Sequence, residues 1–430
     1  MPDESWGEFA NRLEREGELI RVSEPVDTEL EISELASRQM KSPGGGKALL
    51  FERPVREGRV SAFPVLINAF GSERRMALAL GLGRIGELAE RVAGFLQARP
   101  PRSIREGWDL LARGLDLWKS RPVTVSSGAC QEVVYLFKEG DSFSLADLPV
   151  LKCWPEDGGR FLTLPCVYTV DPSGGVRNVG MYRMQEYDGR TTGMHWQLHK
   201  MGARHYDEYA RQKRPMPVAV CLGGDPTLTF SAVAPLPDGI DEVLLAGFLR
   251  KQPVEMVRCL TCDLEVPACS DFVIEGYVEP GETRPEGPFG DHTGFYTSVE
   301  DYPVFHVKAI THRRGAVYPA TVVGRPPMED YYLGMACTSL LLPLLKAMLP
   351  EVVDVHMPPE GVFHNLLFVS IRKQYPYQAY KVMHGLWGMG QMMFSKIVVV
   401  VDEDIDVRNT AEVLWWLGAS VDPQRDIVVT

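Results

Sequence analysis

The residues best placed to do chemistry lie in one run, Glu286-Gly287-Pro288-Phe289-Gly290-Asp291-His292-Thr293-Gly294-Phe295-Tyr296-Thr297. Two carboxylates stand five positions apart, separated only by residues that disfavour helix and restrict or redirect the backbone. Pro288 fixes its own φ, Gly287 and Gly290 permit turns that other residues resist, and Gly294 closes the run. A pair of acids aimed by such a loop suits general acid–base work, in which a proton is delivered to a defined atom. The plain alternative is a hairpin turn whose acids are merely solvated.

Such a loop needs a scaffold, and 430 residues are enough for two or three domains, each with a full core. A hydrophobic content of 45% and a charged content of 24% are ordinary for a soluble globular chain. The net charge of -12 argues against a nucleic-acid partner, which needs a basic surface. No uninterrupted apolar stretch reaches membrane-spanning length; the best candidate, Ser339 to Leu349, is broken by Pro343 and Lys346. Met1 to Phe9 carries acids rather than a signal-peptide pattern, so the expected location is cytoplasmic, peripheral to a membrane if the substrate is greasy. The eight cysteines are expected to be reduced thiols.

Alternating helix and strand fill the first hundred residues. Ser5 and Glu8 have capping-box spacing ahead of Trp6, Phe9 and Leu13. Leu19 to Val22 reads as a strand, Thr28 to Met40 as a capped helix, Phe63 to Asn68 as a strand, and helix resumes at Ser72. Pro100, Pro101 and the amphipathic run through Trp108, Leu111 and Leu115 read as a connecting element. From Val123 to Ile310 short strands follow one another, among them 132–137, 218–221, 272–278 and 304–310, implying a barrel or curved sheet. Beyond His312 the alternation returns, with helices over 340–348, 379–388 and 410–417 and strands over 363–371 and 396–401. The expected parts are 1–118 (α/β), 119–310 (β) and 311–430 (α/β).

Other motifs are weaker. Gly81-Leu82-Gly83-Arg84-Ile85-Gly86 has the dinucleotide pattern but follows a helical composition rather than a strand, so it reads as a helix-ending turn. Gly44-Gly45-Gly46 has no P-loop Lys-Ser/Thr after it and reads as a flexible loop. Cys259-Leu260-Thr261-Cys262, with Cys269 nearby, is half a zinc site without a second half, and reads as buried or strand cysteines. Asp402, Glu403, Asp404 and Asp406 are expected to cap a helix or stay solvated. His195 and His199 would share a helix face, but two histidines make a weak metal claim. No Gly-x-Ser-x-Gly elbow or nucleophilic Cys/His arrangement is present.

The whole string from Glu286 to Thr297 resembles the signature of the UbiD-type decarboxylases, which use prenylated FMN. Asn178-Val179-Gly180-Met181-Tyr182-Arg183, Gly193 to His199, Pro235-Leu236-Pro237 with Glu242, Gly324-Arg325-Pro326-Pro327 and Lys396 to Asp404 carry the likeness along the chain. The resemblance implies an α/β amino-terminal domain, a central split β-barrel holding the flavin, and an α/β carboxyl-terminal domain used in homo-oligomers (dimer or hexamer). It implies catalysis by Arg183, Glu286 and Asp291. A divalent metal, Mn²⁺ or Mg²⁺ with K⁺ as a further candidate, would be held by Asn178, His199 and Glu242 against the flavin phosphate. Met181, Tyr182, Arg183, His195, Trp196, Gln197 and Pro235 would complete the cofactor site, filled by a flavin prenyltransferase as partner. Asp291 as proton donor calls for a pKa well above about 4, raised by burial and by Glu286.

Asp rather than Glu at 291, with Lys41 to Ala48, Cys153 to Gly159 and Pro327 to Asp330, resembles the menaquinone decarboxylases of the futalosine route. That implies a small aromatic acid as substrate, a 1,4-dihydroxy-6-naphthoate, prenylated or not; the alternative is a 4-hydroxy-3-polyprenylbenzoate of ubiquinone synthesis, and the carboxylating direction is open. Rival readings are a catalytically dead flavin-binding relative and an ordinary FMN oxidoreductase; Arg183, Glu286 and Asp291 standing together favour the decarboxylase. The family often has arginine where His195 stands. The chain stops at Thr430, short of the Gly-Ser-Lys-Met-Gly-like segment and terminal helix usual in relatives.

Overall fold

Helix Trp6–Arg15 opens the chain because the Ser5 hydroxyl accepts from the Glu8 peptide N–H at 3.1 Å. The Glu8 carboxylate reaches back to the Glu4 N–H at 2.8 Å, one residue earlier than the expected capping box. Trp6, Phe9 and Leu13 are fully buried, and the Trp6 ring meets Phe70 edge-on at 5.6 Å between centroids. The computed structural model describes residues 3–96, 119–137 and 143–430. The connecting element expected around Pro100 to Leu115 lies outside them.

The amino-terminal sheet runs Leu19–Asp27, Ala48–Arg56, Val65–Ile67 and Tyr318–Ala320, with Arg59–Val60 paired on Ala48–Arg56. Its last strand therefore comes from far downstream, parallel to Val65–Ile67. The stretch expected to open the C-terminal part first returns to this sheet. The second helix is Glu31–Met40 rather than 28–40. Thr28 cannot cap it, because its hydroxyl donates to the Val55 carbonyl at 3.0 Å and ties the turn to the sheet. The strand expected over 63–68 is shortened to Val65–Ile67, since Asn68 turns to φ 62°.

The triple glycine is not a loose loop. Asn68 Nδ2 donates to Gly45 O and Lys47 O, both at 2.9 Å, and the buried Arg75 guanidinium donates to Gly45 O (2.9 Å) and Gly46 O (2.6 Å). Gly81, at φ 62°, ends helix Glu73–Ala79 as expected: its N–H reaches Leu78 O at 3.0 Å.

The middle of the chain forms a nine-stranded, curled sheet built on two long antiparallel strands, Phe272–Glu286 and Glu300–His312. Their register shifts between Glu275 and Gly276 and again between Val278 and Thr283; each irregularity bends the pair and lets the sheet curl. Gly276 is obligatory at the first, because a Cβ there would lie 1.9 Å from His306 O. Asp271, fully buried at the head of the first strand, accepts from the N–H groups of Trp6 (3.0 Å), Gly224 (2.8 Å) and Val317 (3.2 Å). One carboxylate thus ties the first helix and the returning segment to the central sheet.

The C-terminal part packs helix Glu329–Met348 against a three-stranded sheet of Val352–His356, Leu366–Ile371 and Ile397–Asp402, followed by helix Thr410–Ser420. Helix Glu329–Met348 is longer than the expected 340–348 and is, by length and composition, apolar enough to cross a membrane. Its Leu333, Ala336, Leu340 and Leu345 are buried within the protein cores. The acids after Ile397–Asp402 pair with cations, Glu403 with Arg372 at 3.0 Å and Asp402 with Lys373 at 3.7 Å, while Asn409 caps the last helix.

Candidate active site

Strand Phe272–Glu286 delivers Glu286 at its end, and the chain then turns through a cis Gly287–Pro288 peptide with Gly287 at φ 102°, a conformation suited to glycine. Gly290 and Tyr296 close the loop as a bridged pair. The loop is clamped from outside by the segment Cys153 to Gly159. Gly158 N–H donates to Pro288 O at 2.8 Å, and Gly290 N–H donates to Asp157 Oδ1 at 2.8 Å. A Cβ on Gly158 would sit 2.0 Å from Gly287 O, so the two backbones touch. Phe289 is buried and packs on Phe161 at 4.7 Å.

Arg183, just beyond strand Arg177–Met181, reaches into this loop. Its Nε and Nη2 donate to the two oxygens of Glu286 at 2.8 and 3.1 Å, and its Nη1 donates to Asp291 Oδ2 at 3.1 Å. Nη2 also reaches Thr297 Oγ1 at 3.3 Å, and the guanidinium carbon lies 4.5 Å from the Phe289 ring centroid. The Glu286 side chain has 0% exposure, that of Arg183 10%. His195 Nδ1 is 3.0 Å from the second Glu286 oxygen, and its ring lies against Tyr302 at 4.3 Å. Burial alone would push the Glu286 carboxyl up; hydrogen bonds from His195 and Arg183, with their charges, hold it below the usual range.

Asp291 differs from the expectation. Burial does act to raise its pKa, but the hydrogen bond from His292 Nδ1 (2.6 Å) and the charges of His292 and Arg183 outweigh it and hold the carboxyl at about 2. In this arrangement Asp291 rests as a carboxylate, not as a stored acid. His292 is raised in turn: burial lowers it, but Asp291 more than compensates. A depressed carboxyl stabilises the fold above its unfolded pKa and loses that contribution as pH falls through the folded value. The advantage of the wild type over Asp291→Asn is therefore expected to shrink by roughly 2 kcal/mol between about pH 4 and about pH 2. Urea denaturation across that range measures it; a constant gap would contradict the ion pairing.

Of the residues expected around a cofactor, all but Arg183 and His195 line two spaces that share part of their walls. Asn178, Met181, Tyr182, His199, Pro235 and Glu242 border one of about 420 Å³. Trp196 and Gln197 border a larger one of about 1150 Å³ between the central and C-terminal parts, and Met181, His199 and Pro235 line both. His195 and His199 do not share a helix: residues 194–200 run irregularly, so His195 turns to Glu286 while the His199 ring meets Phe394 at 5.0 Å. Glu242 begins helix Glu242–Arg250 and accepts from Val179 N–H at 2.9 Å. Burial pushes its carboxyl up to about 7, and among the described residues it makes no ion pair. A carboxyl penalised in this way, beside an amide and an imidazole on one cavity wall, fits a divalent cation with oxygen and nitrogen ligands.

Three sequence models of the 3-octaprenyl-4-hydroxybenzoate carboxy-lyases match the chain in order: the N-terminal domain over 10–92, the Rift-related domain over 121–326 and the C-terminal domain over 331–430. The chain belongs to the UbiD family. Among UbiD structures it is similar to an evolved dimeric form of HmfF from Pelotomaculum thermopropionicum in complex with prFMN (TM-score 0.83, 29% identity, 99% of this chain and 92% of that one). It is equally similar to the vanillic acid decarboxylase of Sedimentibacter hydroxybenzoicus in closed form (TM-score 0.83, 28% identity, 98% and 86% covered). Uncharacterised proteins of Archaeoglobus fulgidus (49% identical, all of this chain and 86% of the relative) and Aquifex aeolicus (48%, 98% and 85%) are similar over almost the whole chain.

Around this UbiD site stand residues that motif reading did not single out. Lys200 and Arg204 line the smaller space, where their charges suit an anionic group; nothing in their local sequence sets them apart from surface cations. Tyr302, in the second long strand, carries His195. The Cys259–Cys262 pair gains Glu275 as a third neighbour, all potential ligand atoms lying within 4.8 Å. That cluster is already satisfied: the Glu275 oxygens accept from Leu260 N–H (2.9 Å), Thr261 N–H (2.7 Å) and Thr261 Oγ1 (2.8 Å). No fourth His, Cys, Asp or Glu joins it among the described residues, which leaves it short of a closed zinc site.

Proposed function

We propose that this UbiD protein catalyses the reversible, non-oxidative decarboxylation of an aromatic hydroxy acid with prenylated FMN, the acid being a 1,4-dihydroxy-6-naphthoate, prenylated or not, of menaquinone biosynthesis. The single guanidinium that grips both Glu286 and Asp291, on a loop whose next residues His292 and Thr293 line a wide cavity, carries the reading. Supporting the naphthoate are Asp at 291, the Cys153–Gly159 clamp on its loop, and a cavity of about 1150 Å³, roomy enough for a bicyclic acid. The bound cofactor supplies the electron sink that an aryl–carboxyl cleavage requires and that no side chain offers.

The protein's own contribution is positional and electrostatic. Arg183 never loses its proton, so it is a fixed cation that keeps Glu286 ionised and orients the substrate carboxylate. As CO₂ leaves, its bonding pair stays with the ring, and the carbon takes one proton from Asp291, which returns to carboxylate. Because Asp291 rests ionised, that proton must be delivered to it in each cycle. Asn178, His199 and Glu242 hold Mn²⁺ or Mg²⁺, with K⁺ as a further ion, while Met181, Tyr182, His195, Trp196, Gln197 and Pro235 border the flavin. The working form is a cytoplasmic homo-oligomer supplied by a flavin prenyltransferase.

Mass spectrometry of the cofactor released after co-expression with a flavin prenyltransferase tests the reading. Prenylated FMN, with CO₂ release from naphthoate acids exceeding that from benzoate acids, is the expected result. Plain FMN with NAD(P)H-dependent reduction would overturn it in favour of an oxidoreductase, and faster turnover of a polyprenylbenzoate would move the substrate to the ubiquinone branch.

A further inference from the structure

Helix Glu329–Met348 begins with two acids whose surroundings differ. Glu329 is tied down, accepting from Phe70 N–H at 2.7 Å and from the Thr321 hydroxyl at 2.6 Å. Asp330 is not. Both of its carboxylate oxygens are buried and neither accepts a hydrogen bond. The nearest peptide donor, Tyr331 N–H, lies close enough to pull on the carboxyl but is turned to Met328 O at 3.3 Å. An acid in the first turn of a helix is commonplace when water solvates it. One with both oxygens sealed from solvent and unpaired costs stability, and such a residue calls for another purpose.

The purpose is suggested by what faces it. Asp330 lines the large cavity together with His292, Thr293, His364 and Lys396. His292 and Asp291 act on it from the signature loop and Glu329 from its own helix. The His364 ring lies 5.1 Å from that of His292, tilted by 41°, with Lys396 on the C-terminal side of the same space. His292 thus has one carboxylate on its Nδ1, Asp291 at 2.6 Å, and a second carboxyl within its electrostatic reach. Resting on the decarboxylase reading above, we propose that Asp330 is a positioning residue that keeps His292 protonated as the reserve from which Asp291 is recharged.

The proton balance is simple. Asp291 gives its proton to the substrate carbon and becomes carboxylate. His292 passes its Nδ1 proton to Asp291 Oδ1, and the neutral imidazole then takes a proton from water in the cavity. Asp330 exchanges no proton with substrate; its charge favours the imidazolium. Burial is the largest influence on Asp330 and lifts its carboxyl to about 7, while the charge of His292 pulls it back down.

The test uses the cofactor-free protein first. Titration of the His292 ring by ¹⁵N NMR, assigned with His292→Gln, is compared in wild type, Asp330→Asn and Asp330→Glu. The His292 midpoint is expected to fall by about one unit in Asp330→Asn, tenfold in the proton equilibrium, and to recover in Asp330→Glu. His205, held on Thr169 at 2.9 Å in the central part, should not move. An unchanged His292 midpoint in a variant whose circular dichroism and melting match wild type overturns the proposal.

In the loaded enzyme the alkaline limb of kcat should move to lower pH by the same amount, with KM little changed. A limb that stays put while the NMR midpoint moves overturns the recharging role. If wild type shows no decarboxylation, the functional reading fails, while the NMR titration still decides whether the two residues are coupled.

Discussion

Arg183→Ala is expected to lower turnover by about three orders of magnitude or more and to destabilise the central part by about 3–5 kcal/mol, because Glu286 would be left as a buried carboxylate. Glu286 has no exposed side-chain area through which water could replace the guanidinium, and His195 alone would face it. Asp291 would lose one of its two charge partners at the same time. For a unit of this size the destabilisation corresponds to a fall in Tm on the order of ten degrees. Differential scanning calorimetry with and without cofactor measures it. A melting point within a degree or two of wild type would mean that the Arg183–Glu286 pair contributes little. Arg183→Lys keeps the charge but loses the two-point grip, so it should recover stability more than turnover.

Asp291→Asn should weigh more on turnover than on the fold: turnover lower by on the order of 10²–10⁴, with the fold kept at neutral pH at a cost of roughly 2 kcal/mol. The amide is isosteric, and its oxygen can still accept from Arg183 or His292, but it has no proton to give. Product formed in D₂O should carry deuterium at the vacated ring carbon in wild type, and its rate of formation should collapse in the variant. Full turnover of Asp291→Asn would sink the assignment of this residue as donor. Glu at this position, one methylene longer, is expected to keep part of the activity.

How far the site was readable beforehand depended on whether its meaning was local. The loop from Glu286 to Thr297 was legible because glycine and proline specify backbone shape through their own chemistry. The acid that Asp291 was expected to be was not legible. Its ionisation is set by Arg183, more than a hundred positions away, and by the rotamer of its neighbour His292, and neither follows from burial alone. Asp330 stood ahead of the helix expected over 340–348, in a run noted only for its likeness to relatives, and only the packed structure shows that both its oxygens are buried and accept no hydrogen bond. The helix start misread at Thr28 has the same origin, since the hydroxyl that would cap the helix is used by Val55 on the neighbouring strand. In the triple glycine, likewise, order comes from Arg75 and Asn68 rather than from the loop's own residues.

The strand Tyr318–Ala320 also sets a timetable. Val65–Ile67 pairs with Ala48–Arg56 on one side and with Tyr318–Ala320 on the other, so its second edge stays bare until residues made some two hundred and fifty positions later arrive. At ordinary elongation rates that interval is on the order of ten to fifty seconds on the ribosome. During it the nascent amino-terminal sheet presents an unsatisfied, wholly apolar edge of the kind that recruits other chains. The amino-terminal part is therefore first in the chain but cannot be completed before Tyr318–Ala320 is made, and Asp271, accepting from both Trp6 and Val317, joins the early segment to the late one.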